Sequence, residues 1–193
     1  MSADPEREFW IRRLEATGRA QSRYLWFLLT ACLFYAALFA RSPTQTIKVP
    51  IVDLDLDSIT VLASGGPIIA FLVLAVMGAI RAWTHALEQI RGVGSRAGAE
   101  QLDTYPNAID LAMYTTEQSP KTLRKVLYFA YPAVLIAALA ESAALWYAIA
   151  QTPAFPRIAV TIVQAFVWVP AAILVLSMLW SRITKLKDRA RAA

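Results

Sequence analysis

The chain has 193 residues, 58% of them hydrophobic and only 17% charged, with a formal charge of +5. Soluble domains carry nearer a quarter charged residues, so the balance points away from them and toward a membrane protein, and the length suits one small helical bundle. The single cysteine, Cys32, excludes an internal disulfide, and the single histidine, His85, excludes most His-rich metal sites.

In chain order, Asp4-Pro5 reads as an N-cap followed by proline at the first helical position. Residues 1–23 are expected to form a cytoplasmic amphipathic helix with Phe9, Trp10, Leu14 and Thr17 as its apolar stripe. This helix either lies on the inner leaflet or runs straight into the first span. Asp4, Glu6, Glu8 and Glu15 precede the apolar run and no small-residue cleavage site follows Ala40, so a cleaved signal peptide is not expected. A bilayer core needs roughly 20 apolar residues in helical form. Four stretches qualify, at about 24–40, 59–80, 126–150 and 158–180. They define a four-helix transmembrane domain over residues 24–181.

The external loop, residues 41–58, alternates apolar and polar residues on either side of Pro50-Ile51, which predicts a small β-hairpin. Asp53, Asp55 and Asp57 are spaced by two, but the Gly and distal Glu of a calcium loop are missing, so a solvated strand face is expected. In the second span Gly65-Gly66-Pro67, and in the fourth Pro170, are expected to break their helices. The cytoplasmic insert, residues 81–125, should begin as a continuation of the second helix through Ile90 and be ended by Gly92, Gly94 and Gly98. The string from Gly92 to Gly98 follows a helix, so it reads as a turn and not as a phosphate-binding loop. A short helix around Tyr105, Pro106 and Asp110 should follow, before Ser119-Pro120 opens the third helix. His85 reads as a structural interfacial residue. Residues 182–193 form a basic cytoplasmic tail suited to anionic lipid.

Charge sets the expected orientation. The N-terminal stretch, the insert and the tail together hold 16 Lys and Arg residues, against three in the two other loops. The positive-inside rule then places both termini and the insert in the cytoplasm and accounts for the basic balance without nucleic acid. Tyr24, Trp26, Trp83, Tyr128, Tyr131 and Trp180 fit an inner aromatic belt, and Trp146, Tyr147 and Phe155 an outer one. Trp168, near mid-span, is expected to pack against a neighbouring helix.

Glu141 is the one ionisable acid or base inside a predicted span. A carboxylate in hydrocarbon costs several kcal/mol, so it should face the bundle and find a partner. By depth, Gln164, Tyr35 and Ser64 fall in the same layer, and a hydrogen-bonded group of Glu141 with Gln164 and Tyr35 is expected there. Ala133, Ala137, Ala144 and Ala148 share its helix face and suit close helix approach.

Ile47-Lys48-Val49-Pro50-Ile51-Val52-Asp53-Leu54-Asp55-Leu56, together with Tyr105-Pro106-Asn107-Ala108-Ile109-Asp110, resembles the four-helix membrane segment of bacterial proteins that often precedes pentapeptide repeats. The resemblance spans about residues 24–181 and implies the same layout, two helix pairs flanking a cytoplasmic insert. It implies no catalytic residue.

The fold class expected is therefore an all-α membrane protein, a four-helix bundle with a small external β-hairpin and a helical cytoplasmic insert. No catalytic set, metal site or cofactor motif is visible. The expected function is a non-enzymatic membrane sensor, anchor or scaffold working through its cytoplasmic face, with the bilayer, a cytoplasmic protein and further copies of itself as partners. The alternative is a small homo-oligomeric channel or transporter using Glu141.

Overall fold

The computed structural model describes residues 5–40, 47–49, 54–56, 58–93, 121–151 and 157–191. Its elements are α1 (Pro5–Phe39), β1 (Ile47–Val49), β2 (Leu54–Leu56), α2 (Ser58–Val93), α3 (Lys121–Ala150) and α4 (Arg157–Arg191). β1 and β2 pair antiparallel, with Ile47 opposite Leu56 and Val49 opposite Leu54. Asp53 and Asp57 lie outside the described residues, as does the insert between Val93 and Lys121 with Tyr105, Pro106 and Asp110.

All four helices are long and apolar enough to cross a membrane, over Glu8–Phe39, Ile59–Ile90, Ala130–Ala150 and Ile158–Thr184. Their outward residues are large and apolar, among them Leu33, Phe71, Ile162, Phe166 and Leu176, each more than 60% exposed. Soluble monomers rarely expose so much contiguous apolar surface. The chain is a membrane protein.

The amphipathic N-terminal segment and the first span are one helix, the second of the two arrangements expected for it. Acidic Glu6 and Glu8 in its first turn suit the positive end of the helix dipole. Arg12–Glu8 (2.6 Å) and Arg19–Glu15 pair across single turns on its exposed side. Its last turn closes with the Ala40 N–H donating to Ala36 O at 3.1 Å. α2 continues past the predicted span through Ile90, as expected, and takes in Gly92 before it ends at Val93. α4 likewise runs on through the predicted tail to Arg191.

The expected helix breaks are absent. α2 is continuous through Gly65, Gly66 and Pro67, and α4 through Pro170. Proline removes one backbone donor, but in an apolar medium each further unmade backbone bond costs several kcal/mol, so the surrounding turns stay closed.

Each helix buries a stripe of three-four spacing. On α1 it is Ile11, Leu14, Gly18, Gln21, Leu25, Leu28, Cys32 and Tyr35, all buried or half-buried. On α2 it runs Ile69, Val73, Val76, Ile80, Trp83, Leu87 and Ile90. On α3 it is Tyr131, Leu135, Ala138, Ser142, Leu145 and Ile149. This is the spacing of helices that pack along their length with side chains interlocked. Tyr131 belongs to this buried stripe.

The chain divides into two compact units. The first comprises Met1–Trp26 and Ala75–Tyr131, and the second Phe27–Leu74 and Pro132–Ala193. In the first, Leu14 of α1 packs with Ala86, Leu87 and Ile90 of α2, flanked by Trp10, Ile11 and Trp83. Trp10 meets the exposed His85 ring edge-to-face at 5.7 Å, and Arg13 lies over the Trp10 ring at the same distance. In the second, parts of all four helices pack together. Among the described residues, 39% of the most apolar window of α2 is buried, against 33% for α3, 17% for α4 and 11% for α1.

Candidate functional site: a polar layer in the second unit

Two glycines on α2 open the layer. A Cβ at Gly65 would stand 2.6 Å from Tyr35 Cδ1 of α1, and one at Gly66 would stand 2.8 Å from Gln164 Oε1 of α4 and 3.1 Å from the Ser142 carbonyl of α3. Real Cβ atoms do not sit that close. The glycines therefore serve close approach, letting three helices press onto the α2 backbone, and this is why they tolerate the helix they were expected to break. Gly78 on the same helix meets nothing within 4 Å.

Hydrogen bonds close the layer. Gln164 Nε2 donates to Ser142 Oγ at 2.8 Å, and Ser142 Oγ donates to Gly66 O at 2.7 Å. This relay ties α4 to α3 and α3 to α2, and all its members are buried. Tyr35 OH and Ser64 Oγ are 3.0 Å apart. Ser64 gives its own proton to Val61 O at 2.7 Å, so Tyr35 is the donor of that pair, which ties α1 to α2. Trp168 Nε1 donates to Leu139 O at 3.1 Å, and Trp146 Nε1 to Thr161 Oγ1 at 3.4 Å, adding two α3–α4 links. In membranes such interhelical bonds are worth about 0.6–2 kcal/mol each.

Of the residues singled out by sequence, Gln164, Tyr35 and Ser64 are in the layer. Ser142, which joins three helices, was missed. It could have been found from the buried phase of α3, which passes through Ser142 and not through Glu141.

Glu141 does not join the group with Gln164 and Tyr35 that was expected for it. It is only half-buried and makes no hydrogen bond to Gln164 or Tyr35. Its Oε1 is buried without a hydrogen-bond partner, and the Cys32 thiol of α1 adjoins its carboxyl. The alanines on its face also differ from expectation: Ala133, Ala137 and Ala144 are exposed, so they do not line the packed seam. Gln164 Oε1 is the other acceptor of the layer left without a hydrogen bond, turned toward the Gly66 α-carbon.

The arrangement is one of donors directed at carbonyls and hydroxyls on neighbouring helices, which fixes helix positions. Among the described residues no three His, Cys, Asp or Glu side chains gather as metal ligands would. Compared with known protein families, curated proteins and solved structures, the chain has no match.

Proposed function

We propose that this chain is a multi-pass protein of a bacterial inner membrane that acts as a non-enzymatic sensor, anchor or scaffold through its cytoplasmic face. The observation that carries the reading is the α1–α2 pairing of the first unit, which has a core of its own. α1 has 35 residues and α2 has 36. At about 1.5 Å per residue each is over 50 Å long, while the hydrocarbon core is about 30 Å thick. Roughly 20 Å of each helix therefore has no use as a span. A packed helical pair beyond the bilayer is a rigid surface for a cytoplasmic partner. The 16-to-three partition of Lys and Arg supports a cytoplasmic position for this pair, for both termini and for the insert, with the paired strands Ile47–Val49 and Leu54–Leu56 outside. The polar layer supports the same reading, since its relay links helices instead of lining a path.

A second reading, a homo-oligomeric channel or transporter, is favoured by one observation. Glu141 keeps a buried carboxyl oxygen without a hydrogen bond inside an apolar helix, where ionisable groups often serve transport. Ion and proton flux into liposomes carrying the purified protein separates the two. The scaffold reading expects no flux above protein-free liposomes from folded wild type. Flux that disappears in Glu141→Gln would replace it with the transport reading.

A further inference from the structure

Two faces of α1 lie outside its seam with α2, and they differ. On one, Glu8 pairs with Arg12 and Glu15 with Arg19, so acids and bases cancel. On the other run Phe9, Arg13, Ala16, Ala20 and Arg23, at the three-four spacing of a single helix face. Phe9, at 54%, and Arg13, Ala16 and Arg23 are exposed, and Ala20 is half-buried. No acid stands among the five, and neither arginine has an ion pair among the described residues. Glu6, one turn before Phe9, has an interaction of its own.

One end of this face is built from ring contacts. Trp10 meets Phe9 edge-on at 5.2 Å and His85 of α2 at 5.7 Å, and Arg13 lies over the Trp10 ring. Side chains from two helices are thus fixed against one another, while Phe9 and His85 stay exposed. Tryptophan and arginine are the usual anchors of protein interfaces, and an amphipathic helix is read by anchors at this spacing. Farther along, Ala16 and Ala20 are small enough for a second helix to lie close.

Position and charge select the occupant. Phe9 stands 15 residues before Tyr24, where the apolar run begins. At about 1.5 Å per residue that is about 22 Å along α1, whereas the headgroup layer reaches only about 5–8 Å beyond the hydrocarbon. The aromatic end is therefore out of reach of lipid. A second copy would set Arg13 and Arg23 against the same cations. An acidic surface complements them. Glu88, a turn from His85 on α2, confines the cationic character to the α1 side.

We propose that the Phe9–Arg23 face of α1, with Trp10 and His85 at its end, docks an amphipathic helix of a cytoplasmic partner protein, apolar toward Phe9 and acidic toward Arg13 and Arg23. This rests on the scaffold reading and gives it a surface and a partner chemistry.

The test is photo-crosslinking in the cells that naturally make the protein. Benzoylphenylalanine replaces Phe9, and separately Ala16, in the full-length chain, and the adducts are mapped by mass spectrometry. The expected adduct is with a segment of another protein that carries net negative charge and apolar residues at helical spacing. Its yield should fall about tenfold in Arg23→Glu, which leaves the Trp10 contacts alone, and recover when acids of the captured segment are changed to arginine. Adducts with lipid, with residues 94–120 of the same chain or with a second copy would overturn the proposal. So would a captured segment that is not acidic, a yield indifferent to charge reversal, or no adduct from either position. The liposome flux measurement keeps the two claims apart: no adduct and no flux removes this surface and leaves the scaffold reading, whereas flux lost in Glu141→Gln removes that reading.

Discussion

The two units are held together in different ways. The first closes with large apolar side chains, Leu14, Leu87 and Ile90 around Ala86, and leaves a buried amide, Gln21, without a hydrogen bond. The second closes with bare backbone at Gly65 and Gly66 and with a relay of polar side chains through Ser142. On the reading proposed above, the difference follows from the solvent. Beyond the bilayer, water drives apolar residues together, and size decides. Inside it, lipid is as apolar as leucine, so association depends on close packing and on hydrogen bonds between helices.

The comparison can be broken by substitutions, beginning with the largest effect. Leu14→Ala removes a fully buried side chain from the first unit. It should destabilise by about 2–5 kcal/mol, measured as loss of protection in the α1–α2 pair with α3 and α4 unaffected. Gly66→Ala puts a methyl group 2.8 Å from the Gln164 amide oxygen and 3.1 Å from the Ser142 carbonyl, so both the side chain and the α3 backbone must give way. About 1–3 kcal/mol should be lost from the second unit, whereas Gly78→Ala, with open space around it, should be neutral or slightly stabilising. Equal effects at the two glycines would refute close approach as the role of Gly66. Ser142→Ala leaves Gln164 Nε2 and one link to Gly66 O unmade, and should cost about 1–2 kcal/mol in unfolding from mixed micelles. Glu8→Gln breaks only an exposed ion pair, and a change under about 0.5 kcal/mol is expected.

Much of the fold was legible because a span is long and uniformly apolar, and length needs no knowledge of phase. Phase is what failed. On α3 both faces are rich in alanine, and the lipid-facing side is as apolar as the packed side, so hydropathy does not distinguish Ala137 from Ala138. Glu141 stands out in the sequence because a charge is the costliest residue in hydrocarbon. Cost marks a residue that needs an explanation, but it does not say which residue joins the helices. Ser142, inexpensive and easily overlooked, lies on the three-four phase and makes the joint. Gly65-Gly66-Pro67 was misread because low helix propensity is measured in water, where a broken helix finds other partners. In lipid it does not, and the glycines serve contact. The continuity of α1 was open in the sequence as one of two arrangements, because the change from charged to apolar at Tyr24 is a change of side chains and not of secondary structure.

The claim that Ser142, and not Glu141, organises the membrane-embedded layer is tested most directly by measuring the unfolding free energies of Ser142→Ala and Glu141→Gln side by side in the same bilayer mimic. The structure predicts that Ser142→Ala is clearly the more destabilising, with Glu141→Gln close to wild type. The opposite order would show that Glu141 holds the helices together and that the relay through Ser142 does not.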